Sequence, residues 1–272
     1  MAKSFSDIGF LIIRKAIDIN LVKSIQCEVY NLINNSNKKN LNNQKSYINF
    51  CKKVKNLKSK NKKYSEFEFV KPIFERLNYK GYINKIISQS RLNNHLTSLL
   101  GKDLAYCSDP SLNLNLPKKN LPSKNYLFKN WHQEIWSGAG ASSVQLWTPL
   151  FHKNSKQGQI ELIVDSHKWG HVPHRNREPR ELPKKYKTKV LNLEYGDVVI
   201  FSTLVLHRSA RADFPRLALP LLIKNFKYKD NSFQDNKNWK IFSFSELTKI
   251  EQILGNHYLS PYRLMDLDFK TR

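Results

Sequence analysis

His132-Gln133-Glu134, followed far downstream by His207 and nine residues later by Arg216, is the stretch that decides how this sequence folds. Two imidazoles and one carboxylate, with coordination positions left open, describe a facial triad for non-haem Fe(II). His132 and Glu134 are two apart, so on an extended strand both side chains leave from one face. His207 lies so far along the chain that only a fold returning a distant strand can close the triad. Arg216 then offers a planar guanidinium that can grip a carboxylate bidentately, as a 2-oxo acid co-substrate requires.

Working outward, the sequence beyond Asp103 breaks into short alternating or apolar runs cut by Gly, Pro and Asn. Strands are expected at 104–107, 111–116, 128–135, 142–151, 159–164, 188–193, 197–202, 203–208 and 216–228. Tyr195-Gly196-Asp197 is a turn between two of them. Many short strands without intervening helices imply an antiparallel sandwich or barrel, and the count fits a jelly roll. Before Asp103 the period changes. Gly9-Phe10-Leu11-Ile12-Ile13 reads as a short strand. Leu21, Val22, Ile25, Val29, Leu32 and Ile33 then recur at helical spacing behind a cap at Asp18 or Asn20. Helical spacing returns over 66–101 and stops at Gly101. The intervening 35–65 is Lys/Asn-rich and weakly periodic, which reads as a mobile loop or an exposed helix. The expected fold is α+β with a mainly β core: a double-stranded β-helix (jelly roll, cupin-like) with N-terminal helices packed on the outside. One domain is expected over 1–272, with a mostly helical part (1–102), a jelly-roll core (103–230) and a C-terminal extension (231–272).

With 272 residues, 40% hydrophobic and 12% aromatic, the chain can bury a real core, which excludes wholesale disorder. No apolar run reaches transmembrane length. Met1 to Asp7 lacks the apolar stretch and cleavage site of a signal peptide, so a cytoplasmic location is expected. Cys27, Cys51 and Cys107 have no paired spacing and read as reduced thiols. The net charge of +24 invites nucleic acid, an anionic membrane or an anionic substrate. Lys and Asn are abundant throughout, however, and Lys38-Lys39-Asn40 or Lys58-Ser59-Lys60-Asn61-Lys62-Lys63 reads equally as solvated surface. No nucleic-acid motif accompanies the charge, and no nucleic-acid partner is expected.

Several segments, in consistent order, resemble the phytanoyl-CoA dioxygenase family of Fe(II)/2-oxoglutarate oxygenases. Phe5-Ser-Asp-Ile-Gly-Phe-Leu-Ile-Ile13 is similar to its opening strand, and Trp131-His-Gln-Glu134 resembles its Trp-His-Gln-Asp ligand motif. Leu146-Trp-Thr-Pro-Leu150 resembles the central strand. Gly158 to Gly170 resembles the Gly-rich stretch ending in Ser-His-Lys, and Gly196-Asp-Val-Val-Ile-Phe201, His207-Arg-Ser209 and Arg216 resemble the closing block. The resemblance implies that His132, Glu134 and His207 ligate iron. It implies that Arg216 pairs with the distal carboxylate of 2-oxoglutarate, assisted by Ser209, and that Gln133 and Trp147 line the co-substrate pocket. A basic residue that often assists falls near Asn113 to Asn115 here. Glu134 departs from the usual aspartate: it can still ligate, and its extra methylene also opens the alternative of a jelly-roll binding protein without iron. The implied reaction hydroxylates a C–H bond of a small or carrier-linked metabolite, using O2 and releasing succinate and CO2.

Other residues admit plainer readings. Trp147 suits a core aromatic as well as a pocket wall, and Ser209 suits a turn. Gln133 points opposite to its neighbours on a strand. His167, His171 and His174 are not expected to form a zinc helix, because Gly170 and Pro173 interrupt them. Asp165 and Asp197 border turns. Arg175, Arg177 and Arg180 sit in a Pro-broken loop expected at the barrel mouth, where they would favour a small anionic substrate.

Overall fold

A helical layer packs against one side of a large antiparallel sheet, and a smaller sheet closes the other side. The computed structural model describes residues 2–38, 43–60, 66–116, 130–154, 159–210, 213–228 and 238–254. Residues 61–65, the start of the strand expected at 128–135, Gly158, and most of the C-terminal extension past 254 lie outside the described residues. The N-terminal part runs α1 (Ala2–Ile8), β1 (Phe10–Ile13), α2 (Ile19–Asn34), α3 (Asn43–Lys60), α4 (Glu66–Tyr79), α5 (Tyr82–Ile87) and α6 (Ser90–Leu100). The β part runs β2 (Leu104–Cys107), β3 (Asn113–Asn115), β4 (Val144–Phe151), β5 (Ile160–Ile163), β6 (His174–Arg175), β7 (Glu178–Pro179), β8 (Thr188–Val190), β9 (Val198–Ser202), β10 (His207–Ser209), β11 (Arg216–Asn225) and β12 (Trp239–Ser243). Helix α7 (Glu246–Leu254) follows.

The large sheet has the order β1-β9-β4-β11-β2-β12, with β3 also paired to β11, and the small sheet has the order β10-β5-β8. Both are antiparallel, and the two-sheet jelly roll expected from the sequence is what forms. Alternation assigns the two faces of the large sheet. Val198 and Ile200, Leu146 and Leu150, and Leu217, Leu219 and Leu221 face the helices and share a core with Ile25, Ile73, Phe74 and Ile87. Val199, Phe201, Trp147 and Ala218 face inward, in a second core with Ile160, Leu162, Leu191 and Val205 from the opposing side. Two-sided burial explains why β4 is buried along its whole length and β11 along nearly all of it.

Local chemistry sets the boundaries. Asp18, rather than Asn20, caps α2: its Oδ1 accepts from the backbone N–H of Asn20 at 2.7 Å and of Leu21 at 3.2 Å. At the Tyr195-Gly196-Asp197 turn, Gly196 has φ +90°, and a Cβ there would lie 2.7 Å from the Ile17 carbonyl oxygen, so both conformation and space demand glycine. Asp197 locks that turn to β1 by accepting from Arg14 at 2.7 Å and from the Lys15 N–H at 2.8 Å.

Three expectations are corrected. The Lys-rich segment contains a docked helix, α3, whose Phe50 and Val54 are buried, with Phe50 stacked on Phe151 at 5.1 Å. Its apolar stripe is narrow enough for the lysines between to mask it. The strand expected at 128–135 is reduced, within the described residues, to one bridge between His132 and His207, followed by a 3-10 turn at Glu134–Ser137. The strand expected at 203–208 begins only at His207, after a turn.

Candidate metal centre and co-substrate pocket

His132 and His207 sit side by side because their backbones pair, each N–H donating to the other's carbonyl at 3.0 Å. Gln133 is extended (φ −108°, ψ 141°), so His132 and Glu134 still leave from the same side, although only a short extended stretch is present instead of a strand. The Glu134 Oε1 lies 3.2 Å from His207 Nε2 and 3.9 Å from His132 Nε2. One donor atom from each of the three lies within 4.8 Å of the others, and among the described residues this is the cluster of three that could hold one ion. Ligands about 2.1 Å from a metal and at right angles lie about 3 Å apart, so the spacing suits a shared ion.

Both imidazoles are oriented by backbone carbonyls. His132 Nδ1 lies 2.8 Å from the Asn130 carbonyl and His207 Nδ1 3.0 Å from that of Val205. A carbonyl can only accept, so Nδ1 carries the proton and Nε2 keeps its lone pair for a metal. Burial, reinforced by His207 alongside, pulls His132 down to about 4, so the ring stays neutral near pH 7. Two imidazoles plus a carboxylate form a donor set suited to Fe(II), and Glu134 reaches the position despite its extra methylene.

A cavity of about 380 Å³ opens onto the triad. Arg216, at the start of β11, lines it and is only 1% exposed. Burial lowers its guanidinium to about 9, so it stays charged at neutral pH. Its terminal nitrogens donate to Ser209 Oγ at 3.3 Å and the Asn113 carbonyl at 3.2 Å, and its plane sits 4.9 Å from the Trp147 ring. The structure thus brings His132, Glu134, His207, Arg216, Ser209 and Trp147 to one cavity. Near Asn113 to Asn115, where an assisting cation was sought, a backbone carbonyl meets Arg216, and the Asn115 side chain donates to the Ala210 carbonyl at 3.0 Å.

Gln133 stands apart and corrects a sequence expectation. It is fully buried behind the cavity, donating to the Gly170 and Leu204 carbonyls at 2.8 and 2.6 Å and accepting from the Val172 N–H at 2.9 Å. Those bonds fix the ligand-bearing segment to neighbouring loops, and Gln133 does not line the cavity. Its alternation on the extended segment was the available signal. His167 is tied to the Ser6 carbonyl at 2.8 Å, and His174 stacks on Trp136 at 4.5 Å. The arginine loop is a β6–β7 hairpin turning at Asn176 and Arg177, both left-handed, and none of Arg175, Arg177 and Arg180 lines the cavity. Sequence reasoning missed Gln145 and Phe201 as lining residues, along with Phe67 and Val70 from α4. Gln145 was findable, since it lies two residues before Trp147 and so on the same face of β4.

Jelly-roll fold, two-histidine carboxylate site and buried arginine together define the class of non-haem Fe(II)/2-oxoglutarate oxygenases. The family model for phytanoyl-CoA dioxygenase (PhyH) matches residues 5–218, and the chain belongs to that family. Among solved structures, the chain is similar to the apo form of the non-heme monooxygenase ThoJ at 16% identity and TM-score 0.50, over 90% of this chain and 84% of that one. The epimerase SnoN, solved with Fe3+, alpha ketoglutarate and nogalamycin RO, is similar at 12% identity and TM-score 0.49, over 82% of each chain. No curated protein matches the sequence significantly. Among the described residues, no helix is long and apolar enough to cross a membrane.

Proposed function

We propose that this chain hydroxylates a C–H bond of a small or carrier-linked metabolite, with His132, Glu134 and His207 holding the metal and Arg216 the co-substrate. The observation that carries this reading is the joint opening of the triad and a buried guanidinium into one cavity. Bound Fe(II) with 2-oxoglutarate supplies the oxidising chemistry: O2 is consumed, one oxygen enters the C–H bond, and the other leaves in succinate alongside CO2. The protein's part is positioning. The Asn130 and Val205 carbonyls accept from Nδ1 of His132 and His207 and so aim the Nε2 atoms at the metal position. Arg216 and Ser209 anchor the far carboxylate against Trp147, and the apolar walls exclude water.

An anionic moiety, if the substrate carries one, belongs at the rim. Arg177 is near enough to His132 to disfavour its protonated form, so the hairpin borders the site while its arginines stay out of the cavity wall. The test is uncoupled conversion of 2-oxoglutarate to succinate with Fe(II) and O2. Turnover that disappears in His207→Ala supports the oxygenase. Binding of neither Mn(II) nor 2-oxoglutarate by the wild type would favour the iron-free binding protein instead.

A further inference from the structure

Gln145 is 94% buried by its 6% exposure, lines the cavity, and has no side-chain hydrogen bond to any described residue. Its amide therefore faces the cavity with both donor and acceptor unused. Its register partners are Phe201 on β9 and Leu222 on β11, and the Phe201 ring lies 4.7 Å from that of His207. That row runs beside the metal ligands and away from Arg216. Leu222 is six residues along β11 from Arg216, about 20 Å of strand at roughly 3.3 Å per residue. The Arg216 side chain reaches back only to Trp147, one row short.

The cavity's apolar lining includes Phe67, Val70, Leu112, Pro220 and Leu222, and Leu222 pairs with Gln145 across β4 and β11. Asp109 also lines the cavity and accepts from Asn238 Nδ2 at 2.5 Å. Arg208 is drawn off by Glu161 at 2.7 Å and the Trp131 face at 4.3 Å, and Arg216 is committed to the co-substrate end. An anion brought to Gln145 would lose its hydration without gaining a cation of its own, whereas a hydroxyl or carbonyl would find its partner in the amide.

We propose that Gln145 is the specificity-determining residue of the substrate half. The part of the substrate seated at the metal centre is a largely apolar body without an anionic group, bearing a hydroxyl or carbonyl that bonds the Gln145 amide. This rests on the oxygenase reading, which fixes Arg216 as the co-substrate end. Because the cavity must also take 2-oxoglutarate, this body is of small-metabolite size.

The experiment compares two probes of one shape, 2-phenylethanol and phenylacetate. Their binding to the full chain loaded with Mn(II) and saturating 2-oxoglutarate is read by ligand-observed NMR. The alcohol should bind at least about tenfold more tightly than phenylacetate, and Gln145→Leu should erase about tenfold of that affinity, as for loss of a buried hydrogen bond. The 2-oxoglutarate affinity of Gln145→Leu should match the wild type. Equal binding of phenylacetate and alcohol, an unchanged alcohol affinity in Gln145→Leu, or a Gln145→Leu variant that loses 2-oxoglutarate would each overturn the proposal. A wild type that binds no 2-oxoglutarate defeats the oxygenase reading separately, and the alcohol arm on metal-free protein still tests the amide. Gln145→Asn keeps the polar group one methylene back. Its retention of a fold with partial alcohol binding separates recognition from a packing defect.

Discussion

At one end of the cavity, Arg216, Ser209 and Trp147 present a buried charge, a hydroxyl and a flat aromatic wall. Elsewhere in its lining, Phe67, Val70, Leu112 and Leu222 present an apolar surface, and the Gln145 amide adds a polar group. The two ends also differ in origin. The charged end is built within the jelly roll, on β11, β10 and β4, whereas the apolar end borrows α4 from the helical layer and the loop before β3. The groups proposed to hold the co-substrate sit on rigid strands. The helix and loop that complete the cavity can vary without disturbing the sheet.

The comparison is broken most severely by removing what both ends share. His132→Ala or His207→Ala should weaken Mn(II) binding by more than about a hundredfold, beyond the effect of losing an outer-shell partner, and abolish 2-oxoglutarate turnover. Titration calorimetry reads the first effect and succinate release the second. Wild-type metal affinity in either variant would dissolve the assigned triad.

Arg216→Ala should break one end only. Truncating one partner of a buried charge pair costs about 2–5 kcal/mol, so 2-oxoglutarate affinity should fall at least ~30-fold while Mn(II) affinity holds. Arg216→Lys should recover only part, because an ammonium lacks the planar fork. Equal losses of metal and co-substrate would mean that the arginine supports the whole barrel and not one end.

Gln133→Ala sharpens the contrast between lining and support. It leaves two carbonyls and one N–H without their buried partner, which should lower stability by about 1–3 kcal/mol in urea denaturation. The affinity for 2-oxoglutarate should stay within about threefold of wild type, since a packing residue outside the cavity makes no contact to lose. A selective loss of co-substrate binding with full stability would restore the pocket role.

The smallest effect concerns pH. His152 lies 4% exposed beside Tyr195, with ring centroids 4.2 Å apart, and burial pulls its imidazole below the ordinary value. As pH falls through the ordinary histidine range near 6.5, the unfolded chain takes up a proton that the folded chain refuses. Stability of the metal-free protein should therefore decline on acidification, by at most about 1.4 kcal/mol per pH unit from this group. His152→Phe should flatten part of that decline between pH 7 and 5, while His132 continues to contribute in the same direction. An unaltered slope would show that His152 protonates freely in the folded state.

Alternating strands, the Tyr195-Gly196-Asp197 turn and the spacing of His132 to Glu134 are local patterns, and they carried the jelly roll, the triad and Arg216 into view from sequence alone. Strand β2 was legible to the residue, because its apolar run is bounded by turn residues on both sides. Helix α3 was not, because its burial depends on Phe50 finding Phe151 far along the chain. The segment around His132 was not either. Two reciprocal hydrogen bonds to His207 replace a full strand there, and a bond to a distant partner leaves no local period.

The sequence by itself determined which chemical groups this protein can bring to bear, since ligand type, charge and strand parity are properties of residues and their immediate spacing. Only the tertiary structure decided which of them share a cavity. Gln133 and Gln145 are the same side chain, each on an extended segment. One is consumed by three backbone partners behind the site, and the other faces the cavity among apolar walls. That division follows from which distant strands and loops close over each side chain, so neither glutamine's role can be read from its own neighbours in the chain.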